Sequence, residues 1–192
     1  MIVLDHFAAF TRLPIKINDI ADFILERGFV NRITFHGLDE SPDICAGLMI
    51  KRRDRIPYAI GDVADIAFSV RMPVPVQRLV LAKELIHVCE VDGICAATKA
   101  QVGKLVEEIG IPLTALIEIA KLSKQLVTDH SGLLLSIAML IPRDARVILK
   151  RLLDQGVMGL PEIAALARVP ESFAGLAMKD GWENVLNFVC PD

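Results

Sequence analysis

Several things are missing from this chain of 192 residues. No apolar run reaches the roughly 20 residues that a helix needs to span a bilayer. The longest, Gly132 to Ile141, is bounded by Asp129-His130 and by Pro142-Arg143-Asp144, and predicts a buried helix. The four cysteines, Cys45, Cys89, Cys95 and Cys190, form no C-x-x-C pair and no regular framework. They are expected to be reduced thiols. The N-terminus carries Asp5 and His6 and no basic segment, so it does not resemble a secretory signal. A cytoplasmic, non-membrane protein is expected. There is no Gly-rich phosphate loop, which removes the support for a nucleotide-dependent enzyme. Basic charge is not in excess either: the net charge of −3 argues against nucleic acid as the main, direct partner.

What the chain has in surplus is apolar side chains, at 53%. That is above the usual globular share even though the count omits glycine. It predicts a deep core, plus an apolar patch that meets a protein partner or a second copy, as in a homodimer.

The order of elements follows from periodicity. Residues 16–28 read as an amphipathic helix with Asn18 as N-cap and Gly28 as its stop. Apolar runs at Ile33 to Phe35, Ile44 to Ile50, Ile56 to Ile60 and Ala67 to Val70 predict a small antiparallel sheet. Lys51-Arg52-Arg53-Asp54-Arg55 is expected at a hairpin tip, as a solvated turn. After Pro73 and Pro75 the signals are helical: 76–91, 98–109, 113–127, 130–141, 143–155, 160–168 and 171–178. One helix, then a sheet, then many helices predicts an α+β fold with a helix-rich C-terminal part. Residues 1–157 are expected to form the main domain and 158–192 a helical hairpin tail on the same core. Trp182 and Phe188 are expected to anchor that tail.

The segment Leu81-Ala82-Lys83-Glu84-Leu85-Ile86-His87 carries the chemistry. Zinc peptidases use His-Glu-x-x-His on a helix: the two histidines, one turn apart, grip the metal, and the Glu is general base on its water. Here the Glu and the second His are present, and Lys83 stands at the first His. Residues four apart share a helix face, so Lys83 and His87 point the same way, with Glu84 beside them and Glu90 about a turn beyond. The bland alternative is that these are the wet edge of an amphipathic helix. Cys89 falls on roughly the opposite side. His6 and His36 have no partner at ligand spacing and read as structural.

This helix, the sheet before it, and the apolar helix from Asp129 through Leu133-Leu134-Leu135 to Leu140-Ile141-Pro142 together resemble the ImmA/IrrE family of minimal zinc metallopeptidases. So does the tail Gly159-Leu160-Pro161-Glu162 to Val169-Pro170-Glu171-Ser172. The resemblance covers roughly residues 16–178. It implies a minimal zincin-like fold, with Glu84 as the catalytic general base, His87 as the second zinc ligand and Asp129 as the acidic third ligand. It also implies a partner: family members cleave or control helix-turn-helix repressors of phage-like and stress-response operons. The chain departs from the family at Lys83, and the stretch from His87 to Asp129 is long for it.

An ammonium has no lone pair for zinc and repels a dication. The reading that follows is a degenerate K-E-x-x-H member. In it Lys83, paired with Glu84, Asp129 or both, takes over the electrostatic role of the metal. No cofactor is then expected, and the protein acts by binding another protein rather than by catalysis. The alternative is an active zinc endopeptidase with an altered ligand set of His87, Asp129 and His130. A third class, an assembly protein of a mobile element, has only the apolar surplus behind it. The segment Leu160 to Met178 has a helix-turn-helix rhythm, but its second helix, Glu-Ser-Phe-Ala-Gly-Leu-Ala-Met, lacks the Arg, Asn or Gln that reach base edges. It reads as a helical hairpin that caps the core.

Overall fold

The computed structural model describes residues 2–56, 59–89 and 130–189. Two helices come first, α1 (Ile2–Ala8) and α2 (Ile17–Glu26). Three strands follow: β1 (Arg32–Leu38), β2 (Gly47–Ile56) and β3 (Ala59–Ser69). The remaining described elements are helices: α3 (Val74–Cys89), α4 (His130–Leu140), α5 (Arg143–Asp154), α6 (Leu160–Ala167), α7 (Glu171–Ala177) and α8 (Trp182–Val189). The class is α+β, as the order of sequence signals requires.

The sheet is mixed, not antiparallel throughout. Its order is β1-β3-β2, with β2 antiparallel to β3 but β1 parallel to it. The chain leaves β1, passes over to the far edge to make β2, and returns through the middle as β3. Strict alternation gives the sheet two faces. Ile33, Phe35, Met49, Ala64, Ile66 and Phe68 lie on the face that meets the helices. Arg32, His36, Arg52, Asp54 and Asp65 line the other.

The basic segment is therefore not a hairpin tip. Residues 51–55 lie inside β2, which runs on to Ile56. Alternation explains how five charged residues fit in a strand. Arg52 and Asp54 project to the solvent face and pair with each other at 2.8 Å. Arg52 also reaches Asp65 (3.0 Å), and Asp54 also reaches Arg32 (2.9 Å). Lys51, on the inner face, points its Nζ to the carbonyl of Val88 at 3.4 Å.

Two other local expectations are corrected. Lys16, with extended φ and ψ, is the N-cap of α2 and gives no side-chain cap bond; Asn18 lies within the first turn. Helices α1 and α8 are additions to the predicted order. Gly28 does end α2, at φ +74°, the left-handed conformation that glycine adopts without strain. The predicted helices at 98–109 and 113–127 lie outside the described residues, as do Glu90, Cys95, Asp129 and Cys190.

A single hydrophobic cluster joins the sheet, α3 and the tail. It includes Ile20, Ile24, Ile66, Leu79, Leu135, Ile163, Phe173 and Trp182. Trp182 is 1% exposed, so its indole is an anchor of the core. Across α6, α7 and the turn between them, the apolar residues of the helix-turn-helix rhythm Ile163, Ala164, Ala167, Val169, Phe173 and Leu176 are buried, and Leu160 is half-buried. Arg146 of α5 holds this end together from inside. Its Nε donates to the carbonyl of Ala177 (2.6 Å), its Nη2 to that of Lys179 (2.8 Å), and Nη1 pairs with Glu183 (3.3 Å). A cation there satisfies the Ala177 carbonyl, which lies at the end of α7, and adds a second donor to the Lys179 carbonyl. Among the described residues no helix is long and apolar enough to cross a membrane.

Candidate functional site

Helix α3 starts just after Pro73, with Pro75 in its first turn, where a missing N–H costs nothing. Beyond that turn it is closed in on several sides. Strands β2 and β3, helix α2 and helix α4 all pack on it. Val76, Leu79, Val80, Ala82, Leu85, Ile86, Val88 and Cys89 are buried as a result. At Lys83 and Glu84 such a helix has no wet edge. Lys83 is 9% exposed and Glu84 only 3%. The reading of these two as a solvated stripe is thereby overturned.

Lys83 Nζ lies 2.9 Å from Glu84 Oε1. Neighbouring residues diverge by about 100° around a helix axis, so this pair closes only because both side chains are long. The approach brings the charges together without hydrogen-bond alignment: Oε1 is buried and accepts no well-aligned hydrogen bond among the described residues. Coulomb attraction, rather than hydrogen bonding, holds that oxygen.

Gly47, at the start of β2, shapes the other wall. A Cβ built there would fall 2.9 Å from Glu84 Oε1 and would also collide with the Cγ1 of Val80. The glycine lets the strand backbone come close to the carboxylate and shut it in. Gly47 does not stand out in the sequence; it belongs to the site only through the packing of β2 on α3.

His87 follows Lys83 by one turn and is half-buried on the same helix. His130 opens α4, which packs against α3; its side chain and all of Asp129 lie outside what the structure describes. The structure therefore puts Lys83 and Glu84 in contact, with His87 one turn on along the same helix. Cys89 donates its thiol to the carbonyl of Leu85 (3.6 Å) and is buried in its own helix. His6 stacks on Phe23 with ring centres 4.0 Å apart, and His36 hydrogen-bonds Asp65 at 3.2 Å on the outer face of the sheet.

The described part of this site does not fit zinc. A catalytic zinc takes three protein ligands and keeps an open position. Here the described residues offer one imidazole, that of His87, and the Lys83 ammonium beside it in the motif is engaged with the Glu84 carboxylate. Among the described residues no group of three His, Cys, Asp or Glu side chains is arranged to hold a metal. What the arrangement offers chemically is a buried ion pair one helical turn from a half-buried histidine. No protein-family model, curated protein or solved structure matches the chain.

Proposed function

We propose that this chain is a peptidase-like protein of the ImmA/IrrE type in which a fixed cation replaces the metal, and that it acts by binding a protein. The observation that carries this reading is the burial of Lys83 against Glu84 at 2.9 Å. A buried carboxylate without a partner is costly, so a site that has lost its metal needs another positive charge beside Glu84. Lys83 supplies that charge from the position of the missing ligand. The shell keeps its shape, and the residue that would activate water is engaged in a pair.

The partner class implied is a helix-turn-helix repressor, held rather than cut. The zincin-like domain over residues 1–157, with the tail of 158–192 on the same core, is part of the same proposal. Co-expression with a small repressor encoded beside this chain tests it. The expected result is a stable complex with the repressor intact. Cleavage that requires both added zinc and His87 would favour the active zinc endopeptidase, with His87, Asp129 and His130 as its ligand set.

A further inference from the structure

A second concave site lies elsewhere on α3. Arg78 precedes Lys83 by five residues, about 140° around the helix axis, so the two occupy different faces. An open pocket of about 540 Å3 is lined there by Arg12, Lys16, Asn18, Arg78 and Arg168, with Leu13, Pro14 and Ile17 as its apolar wall. Four cations and no acidic residue line it. That is unexpected on a chain with a net charge of −3. None of the four makes an ion pair among the described residues.

The cations are assembled from three distant segments, and backbone bonds hold the central one in place. Arg78 Nη2 donates to the carbonyl of Ile15 (2.6 Å), and its Nε donates to that of Arg168 (3.2 Å). Two of five guanidinium N–H donors are thus fixed to the walls, and three are left over. Arg168 sits at the left-handed C-cap of α6 (φ +53°), so the turn between α6 and α7 delivers a second guanidinium to the same place. Burial, and then the like charge of Arg168, push the Arg78 guanidinium below the usual arginine range. Like charges brought together and partly desolvated are relieved by an anion between them.

The third wall is the first turn of α2. Its N-cap, Lys16, gives no side-chain cap bond, so the first N–H groups of this ten-residue helix lack a side-chain acceptor. Asp19 lies in that turn but does not line the pocket. N–H groups at a helix start and guanidinium forks bind phosphates and carboxylates alike, but four cations facing one pocket are better balanced by an oxyanion with two or more charges than by a single carboxylate.

We infer that the pocket between the start of α2, Arg78 and Arg168 binds the phosphate group of a small phosphate ester. The pocket is independent of the Lys83 site and would stand if the peptidase-like reading fell.

The test is calorimetric titration of the full chain with pyrophosphate at low ionic strength, with inorganic phosphate as the weaker probe. Saturable one-to-one binding is expected, with a rise in Tm as ligand is added. Arg168→Ser and the exposed pair Arg12→Ser/Lys16→Ser should each weaken pyrophosphate at least about tenfold, the loss of one charge-assisted contact of about 1.4 kcal/mol or more, while leaving the unliganded Tm in place. Arg78→Met should abolish binding. Because that variant also removes two backbone bonds, the surface variants remain decisive if it unfolds. No saturable binding, or affinity unchanged in the surface variants, would overturn the proposal. So would tight binding of single-stranded oligonucleotide through these residues with none of pyrophosphate, which would make the pocket part of a nucleic-acid surface.

Discussion

Two groups of ionised side chains in this protein make opposite use of the same chemistry. On the outer face of the sheet, Arg32, Arg52, Asp54, Asp65 and His36 form a network of contacts of 2.8–3.2 Å. Inside, Lys83 and Glu84 form a single contact of 2.9 Å. The distances are alike and the surroundings are not. The network lies in water, where each pair contributes little and salt weakens it further. The Glu84 carboxylate is buried, so removing Lys83 exposes the cost of burying it. The difference teaches that this fold depends on its buried Lys83–Glu84 pair far more than on its several exposed ones.

The largest effect should come from splitting the interior pair. Lys83→Ala leaves the Glu84 carboxylate buried and uncompensated, and is expected to cost about 3–5 kcal/mol in urea unfolding. Replacing both members with apolar side chains of similar size, Lys83→Met with Glu84→Leu, should recover most of that loss. If the double variant were as unstable as the single one, the pair would not be the unit that matters.

Next in size is Gly47→Ala. Its methyl must displace Val80 and Glu84 at the closest approach of strand and helix. An overpacking cost of about 1–3 kcal/mol is expected, read as a lower urea midpoint. A neutral result would mean that β2 lies farther from α3 than described.

Arg146→Met removes the donors to Ala177 and Lys179 while keeping most of the side-chain volume. A loss of about 1–3 kcal/mol should follow, with amide exchange rising first in α7 and α8. Exchange rising evenly across the protein would show that Arg146 does not specifically hold the tail.

The smallest effects belong to the exposed network. His36, then Arg52, hold the Asp65 carboxyl below its ordinary value, and Arg52 with the backbone of Arg55 does the same for Asp54. A carboxyl lowered by folding stabilises the folded state above its unfolded pKa of about 3.9, and that contribution is lost as pH falls through the lowered value. Tm should therefore decline only gently below about pH 4 from this source, and Asp65→Asn should flatten that part of the profile. An equally steep acid decline in Asp65→Asn would place the sensitivity elsewhere.

Much of the fold was legible because the signals are local. The helices over 16–28, 76–91, 130–141, 143–155, 160–168 and 171–178 appear within about two residues of those limits, because their apolar spacing and their Gly and Pro stops do not depend on what they pack against. The strands were less legible. Charges at 51–55 look like a turn until it is known that one face of the sheet is wet, and nothing local distinguishes a parallel from an antiparallel neighbour for β1. The motif was visible as residue types, but its burial was not. Lys83 and Glu84 become interior only because the sheet, α2 and α4 all close on α3. Gly47 and the cationic pocket are assembled from segments far apart in sequence, so no pattern announces them.

The central claim is that Lys83 stands where a metal would be. It is tested most directly by zinc content per chain, measured by elemental mass spectrometry on tag-free protein prepared without chelator, before and after zinc supplementation. The account predicts essentially none in either preparation, with uptake appearing in Lys83→His. About one zinc per chain in the wild type, lost in His87→Ala, would contradict it.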